Sequence, residues 1–437
     1  MAHSDLAIHF FLQLAVILTA CRVVGLLARR VGQPQVVGEM IAGVLLGPSL
    51  FGVLMPDWQE RLFPDGVEMS ILFVASQVGL VLYMFLIGLE FDTRLIRHRI
   101  SSALSVSFAG ICAPMVLGCL AALVLIRQGD TFFPDGIASW QAMFFMGSAV
   151  CITAFPMLAR IIYERRMTGT PVGTIALAAA ATDDAVSWCL LAVVLASIKQ
   201  DISIAVLAIA GGIVYGLVVL TFGRRQLARL GSRAEREGNV GPAMLAVVLT
   251  LLMLAAWITD LIGIYAIFGA FVLGVAMPRG LFAQRVRTAL EPLTTNLLLP
   301  LFFVFSGLNT QIGLVNTTAL WGVTALVLLI SILGKGGACW LAARLNGEPQ
   351  REALALGSLM NARGLMELIL LNIGLQAGLI TPTLFTIMVI MAIVTTLMAS
   401  PLFQLFYGRH QRNPGESSVP VAPAGPSPEK SAAAVRG

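Results

Sequence analysis

Charge is what this chain has least of. Asp, Glu, Lys and Arg make up 12% of its 437 residues, where a soluble domain carries about 25%. Hydrophobic residues reach 58%, and mean hydropathy is +0.88. That balance excludes an ordinary soluble globule and implies a polytopic membrane protein solvated by lipid. No run of Lys or Arg is interleaved with aromatics, so the net charge of +5 does not point to nucleic acid. The six cysteines show no Cys-x-x-Cys or metal-like spacing and read as small core residues. No P-loop and no dinucleotide-type glycine motif is present, so neither ATP nor a nucleotide-binding regulatory domain is expected, and nothing calls for a cofactor. Leu18-Thr19-Ala20-Cys21 has the look of a lipoprotein cleavage box, but no basic stretch precedes it, so lipidation is not expected.

What is present is a succession of apolar runs of about 20 residues, each enough to cross a bilayer. They fall near 7–28, 33–54, 69–89, 101–126, 138–162, 171–197, 202–222, 241–259, 262–280, 293–310, 319–343, 352–377 and 381–405. The fold expected is therefore all-α, a membrane bundle of about 13 spans. Arginines crowd the loops after the odd-numbered spans, from Arg29 and Arg30 through the group Arg224–Arg236 to Arg344 and Arg351. The alternate loops hold only Arg61, Arg127 and Lys199. The arginine-rich side is the cytoplasmic one, which puts the N-terminus outside and the C-terminus inside, as in a bacterial inner-membrane protein. Residues 1–408 form one transmembrane domain. Residues 409–437, rich in Pro, Ser, Ala and Gly, read as a disordered cytoplasmic tail.

Two adjacent carboxylates, Asp183 and Asp184, sit in the middle of TIALAAAATDDAVSWCLLAVVLA (174–196). One Asp at the centre of a membrane helix costs roughly 2.5–3.5 kcal/mol, so the pair must face protein, water or a cation. Adjacent helical residues point about 100° apart, so the two serve different partners. Lys335, the only lysine inside a span, stands among Gly334, Gly336 and Gly337, which let another helix come close; the competing reading is a side chain that snorkels to the interface. Pro156 interrupts the fifth span, with Thr153 and Ser148 upstream, and the freed carbonyls and hydroxyls could hold a bare cation; an ordinary proline kink competes. In the twelfth span, Asn361, Arg363 and Gly364 mark a second break, and Glu367, four residues after Arg363, falls on the same helix face as a partner for an ion pair; a purely structural pair is the competing reading. Glu39, near the start of the second span, reads as structural, favoured by a helix N-terminus. With the seventh span as a linker, the chain divides into two inverted six-span halves, each with an interrupted fifth helix. Such pairs point to a midplane transport site.

These residues lie in motifs that together resemble the monovalent cation:proton antiporter-2 family, which holds the Kef potassium/proton systems, plant cation/H+ exchangers and NapA-type sodium/proton antiporters. They are GQPQVVGEMIAGVLLGPS (32–49), TAFPMLARI (153–161), TDD (182–184), LPLFFVFSGL (299–308) and NARGLMELILLNIG (361–374), within a likeness over residues 5–408. The resemblance implies an inverted-repeat fold with a core and a dimerising panel. It implies that Asp184 binds Na+ or K+ and trades it for H+, that Asp183 pairs with Lys335, and that Thr153 supplies an oxygen ligand. Two carboxylates and a titratable lysine suggest two protons per cation. The resemblance does not choose between Na+ and K+. A passive monovalent cation channel is the alternative; it needs a selectivity filter or a repeated pore. An intramembrane aspartyl protease is disfavoured, because its aspartates stand on separate helices and here they are adjacent.

Overall fold

The computed structural model describes residues 3–33, 35–64, 66–91, 100–167, 169–199, 201–308 and 315–411. Among these residues every regular element is helical. Among the described residues ten helices are long and apolar enough to cross a membrane: Leu6–Arg30, Val37–Leu54, Val67–Glu90, Ile100–Ile126, Pro171–Ile198, Ile202–Glu237, Pro242–Ile262, Leu281–Phe305, Thr318–Leu345 and Pro382–Gly408. Two further apolar stretches are each divided into half-helices, Ser139–Cys151 with Phe155–Glu164 and Gln350–Leu359 with Leu365–Gln376. The stretch 262–280 differs from expectation. It holds only Ala266–Ala276, 11 residues, or about 16 Å of helix against a hydrocarbon core of about 30 Å. Gly263 at φ 90° closes the preceding helix, Tyr265 enters at φ 76°, and Pro278 follows the far end, so the local chemistry trims both ends.

Other boundaries follow from single residues. Asp201 caps Ile202–Val218 by accepting from the Ser203 amide at 2.9 Å. That helix does not stop near 222; it runs through one π-type turn at Val219–Gly223 into the basic amphipathic segment Arg224–Glu237, which ends on Gly238 at φ 66°. Another π-type turn, Ile332–Gly337, carries Lys335. The last helix runs to Gln411, three residues past the expected domain end, and the expected tail from 412 onward lies outside the described residues. Cys21, Cys151 and Cys339 are buried as expected, but Cys112 is exposed on its helix, where lipid rather than protein accounts for an apolar side chain.

Helix packing places the family-like motifs against one another. Gln35–Leu46 crosses Leu299–Leu308 at glycines: a Cβ on Gly43 would stand 2.7 Å from the Val304 backbone, and one on Gly307 would stand 2.5 Å from that of Gly43. Only glycine permits that approach. Ile17, Cys21, Ala42, Leu72, Leu301 and Val304 form one small apolar cluster around this crossing. A much larger cluster surrounds the two divided stretches and the aspartate helix Pro171–Lys199.

Candidate functional site

The two breaks lie against each other. Residues 152–154 are extended, and so is the stretch around Ala362–Gly364. The Ala154 amide donates to the Ala362 carbonyl at 3.1 Å, joining one break to the other. Thr396, on the last helix, closes the second break from both sides: its hydroxyl accepts from the Arg363 amide and donates to the Arg363 carbonyl, each at 3.0 Å. Non-helical backbone at membrane depth is tolerated only when satisfied within protein in this way. Pro156 is placed differently from a mid-helix kink. It lies in the first turn of Phe155–Glu164, where a missing N–H has no intrahelical partner to lose. The carbonyls freed in this region are those ending Ser139–Cys151.

Those carbonyls face two buried cations. Arg363, with no exposed surface, donates to the Ala149 carbonyl at 3.0 Å and to that of Val150 at 2.6 Å. Lys335, also fully buried, donates to the Cys151 carbonyl and to Gly110 at 3.2 Å. The last three carbonyls of a half-helix, the negative end of its dipole, are thus held by positive side chains. Lys335 also pairs with Asp183 at 3.1 Å, both side chains fully buried. The remaining Asp183 contacts are hydroxyls: Ser107 donates to Oδ1 at 2.6 Å and Thr153 to Oδ2 at 2.7 Å. Asp184 is buried as well, 5% exposed, and helical geometry turns it about 100° from its neighbour.

The structure therefore gathers Asp183, Lys335 and Thr153 into direct contact, with Asp184 one residue along the same helix. Arg363 is joined to this group through the half-helix end that it shares with Lys335. Glu367 reaches Arg363 at 3.5 Å, both buried, although Arg363 stands in the extended break rather than on the helix face that i, i+4 spacing implied. Asn361 donates to the Gly357 carbonyl at 3.2 Å, and its side chain fills the space beside Gly336, where a Cβ would come within 2.3 Å of it. Glu39 is fully buried and accepts from Gln35 at 3.0 Å, a placement within its own helix.

Two features were not legible beforehand. Ser107 is one hydroxyl among several in an apolar span, and nothing in its spacing singles it out. The second is a polar cluster at the arginine-rich end. Arg287 pairs with Glu291 at 2.9 Å and with Glu90, donates to the Tyr163 hydroxyl at 2.8 Å, and Tyr163 in turn donates to Glu291. In sequence, Arg287 is indistinguishable from the other loop arginines.

Comparison with known proteins agrees with this architecture. Residues 15–406 match the family described as sodium/hydrogen exchanger, transmembrane. The Na(+)/H(+) antiporter NhaS4 of Synechocystis is 39% identical over 394 residues, covering 90% of this chain and 95% of that one. Cation/H(+) antiporter 17 of Arabidopsis thaliana is 36% identical over 412 residues, 93% of this chain, which spans about half (48%) of the plant protein. Among solved structures, the sodium proton antiporter MjNhaP1 of Methanocaldococcus jannaschii superposes with a TM-score of 0.64 over 92% of this chain and 97% of that one; at 17% identity this is a likeness of fold.

Proposed function

The chain belongs to the sodium/hydrogen exchanger family, and from that premise we propose that it is a secondary antiporter, exchanging protons for Na+ or K+ by alternating access. Asp184 carries the transported cation or proton in turn, and Asp183 and Lys335 form the partner pair that couples to it. Thr153 lends an oxygen, while Pro156, Asn361, Arg363 and Glu367 shape and neutralise the broken helices. The observation that carries this reading is the fully buried Lys335–Asp183 pair, set against a half-helix end and one residue from a second buried carboxylate. Ionisable groups inside a membrane mark ion or proton paths. Carboxylates that bind H+ and metal in competition couple two flows without ATP.

On this reading the ten long helices and the two divided stretches each cross the membrane, and the stretch 262–280 crosses with its short helix Ala266–Ala276 and the non-helical residues at either end, thirteen crossings in two inverted halves. The protein works as a homodimer, with its N-terminus outside and its C-terminus in the cytoplasm of a bacterial cell. Two protons leave for each cation that enters the site. The Na(+)/H(+) activity named for the Synechocystis relative supports Na+ as the first cation to test.

The experiment is proton flux in proteoliposomes with Na+, K+ or Li+ on the far side. Asp184→Asn should abolish cation-driven flux while the protein still folds. A channel would pass cations with no obligatory proton counterflow, and undiminished exchange by Asp184→Asn would overturn the assignment.

A further inference from the structure

Arg22 is out of place for a lipid-facing helix. It lies eight residues before the end of His3–Arg30, about 12 Å inside the span. Among the described residues no carboxylate pairs with it, and its side-chain partner is the neutral oxygen of Asn296 at 3.3 Å. Its side chain is exposed on the protein rather than packed in it, and a cation so placed within a span calls for a counter-charge. Arg22 opens into a cavity of about 510 Å³ at the arginine-rich end, between helix His3–Arg30, the half-helix Phe155–Glu164 and the segment around Thr295. Arg29, Arg160 and Arg165 line the same space.

The acidic groups on its wall are already engaged. Glu164 takes Arg160 at 2.8 Å and the Gln35 amide at 2.6 Å, and Glu291 is held by Arg287 and Tyr163. Arg29 donates to the Gln35 side-chain oxygen, and Arg165 donates to the Gly32 carbonyl and Ser400, each at 2.6 Å. Four guanidinium groups, those of Arg22, Arg29, Arg160 and Arg165, thus share one cavity with two carboxylates, Glu164 and Glu291; Glu39 acts on Arg22 and Glu164 on Arg165 only through space, so positive charge is in excess around it.

We propose that this cavity binds a phosphate-bearing anion. Guanidinium groups match phosphate oxygens in pairs, and the volume lies within the range of about 300–1,000 Å³ typical of small-molecule sites. A cavity lined by arginines repels the alkali cations of the proposed exchange, so it is not simply their vestibule. Either a soluble phosphate or the headgroup of an anionic lipid supplies this chemistry. The occupant would bridge His3–Arg30 and Phe155–Glu164; that such a bridge restrains exchange rests on the function proposed above, whereas binding itself does not.

The test is thermal unfolding of the purified full chain in detergent. One arm adds inorganic phosphate against chloride at equal ionic strength. The other adds dioctanoyl phosphatidylglycerol against dioctanoyl phosphatidylcholine. A ligand at high excess over its Kd should raise the melting temperature by roughly 2–4 °C. Arg22→Gln and Arg29→Gln should each lose at least half of that rise, and Arg224→Gln, on the amphipathic segment outside the cavity, should keep it. A response to phosphate assigns a soluble ligand, and a response confined to phosphatidylglycerol assigns a lipid. No rise with either, or an equal rise in wild type and the cavity variants, overturns the proposal. If Arg22→Gln does not fold, Arg29→Gln, at the exposed helix end, decides. Because the readout is binding, its failure leaves the exchange assignment standing, and the flux assay can fail without touching this one.

Discussion

Replacing Lys335 by Met removes the cation from a pair whose two side chains are fully buried and 3.1 Å apart. Asp183 keeps the hydroxyls of Ser107 and Thr153 but loses its counter-charge, and the Cys151 and Gly110 carbonyls lose a donor. Breaking one side of a buried pair costs about 3–5 kcal/mol. Unfolding entropy of about 2.1 cal/mol/K per residue, taken over 437 residues, gives roughly 0.9 kcal/mol/K, so Lys335→Met should lower the melting temperature by about 3–6 °C. The double variant Asp183→Asn, Lys335→Met removes both charges together. Neutralising both partners of a buried pair is close to neutral in stability, so its loss should be no more than about half that of the single variant. The assay is fluorescence-detected unfolding in detergent at one fixed scan rate, because such melting is partly a rate measurement. Lys335→Met melting with wild type, or a double variant losing the sum of the two single losses, would refute the coupling.

Arg363→Lys should behave as a loss rather than a conservative change. One ammonium does not reproduce the fork that reaches both the Ala149 and Val150 carbonyls, and a drop of about 2–4 °C in melting temperature is expected; melting at the wild-type temperature would contradict it. Gly336→Ala places a methyl 2.3 Å from Asn361, whereas at Gly337 nothing stands within 4 Å. The first should cost about 1–3 kcal/mol by overpacking and the second should be silent or slightly stabilising, with expression level and melting temperature as the readouts.

Most of the helix plan could be read from hydropathy, because span length is set by bilayer thickness and each apolar run carries its own signal. Ala266–Ala276 escaped because hydropathy does not register that Gly263, Tyr265 and Pro278 trim the ends of an apolar run. The breaks were legible for a chemical reason: Pro156 and the Asn361-Ala362-Arg363-Gly364 tetrad are residues that a continuous membrane helix does not accommodate cheaply. What sequence did not reveal was the occupancy of the freed carbonyls. Spacing along the chain gives no distance between residues 151 and 335, or 149 and 363, so oxygens expected to be open to a metal ion are found holding Lys335 and Arg363. Ser107 was hidden for the same reason, since its importance lies wholly in a contact 76 residues away.

The occupied oxygens bear on stoichiometry. A dehydrated alkali ion needs several oxygens, and Asp183, Thr153 and the Cys151 carbonyl already converge on Lys335 or its partner. On the proposed reading, an ammonium and a metal ion are then rival occupants of neighbouring positions. On that reading, too, a cation carried by Asp184 and the ammonium of Lys335 repel each other; for unit charges 4 Å apart the repulsion is about 4 kcal/mol at an effective dielectric constant of 20. If Lys335 supplies the second proton of the exchange proposed above, that proton leaves in addition to the one displaced from Asp184, and each cycle moves one net charge. A membrane potential of 100 mV then contributes about 2.3 kcal/mol, a shift of about fiftyfold in the cation gradient at equilibrium. Lys335→Gln, which has no such proton to give, should still exchange, one proton for one cation, and should ignore an imposed potential. Proteoliposomes with Na+ as the exchanged ion and Asp184→Asn as the blank measure this directly. A Lys335→Gln protein that follows the potential as wild type does would place the second proton elsewhere. A wild type indifferent to the potential would remove the second proton altogether.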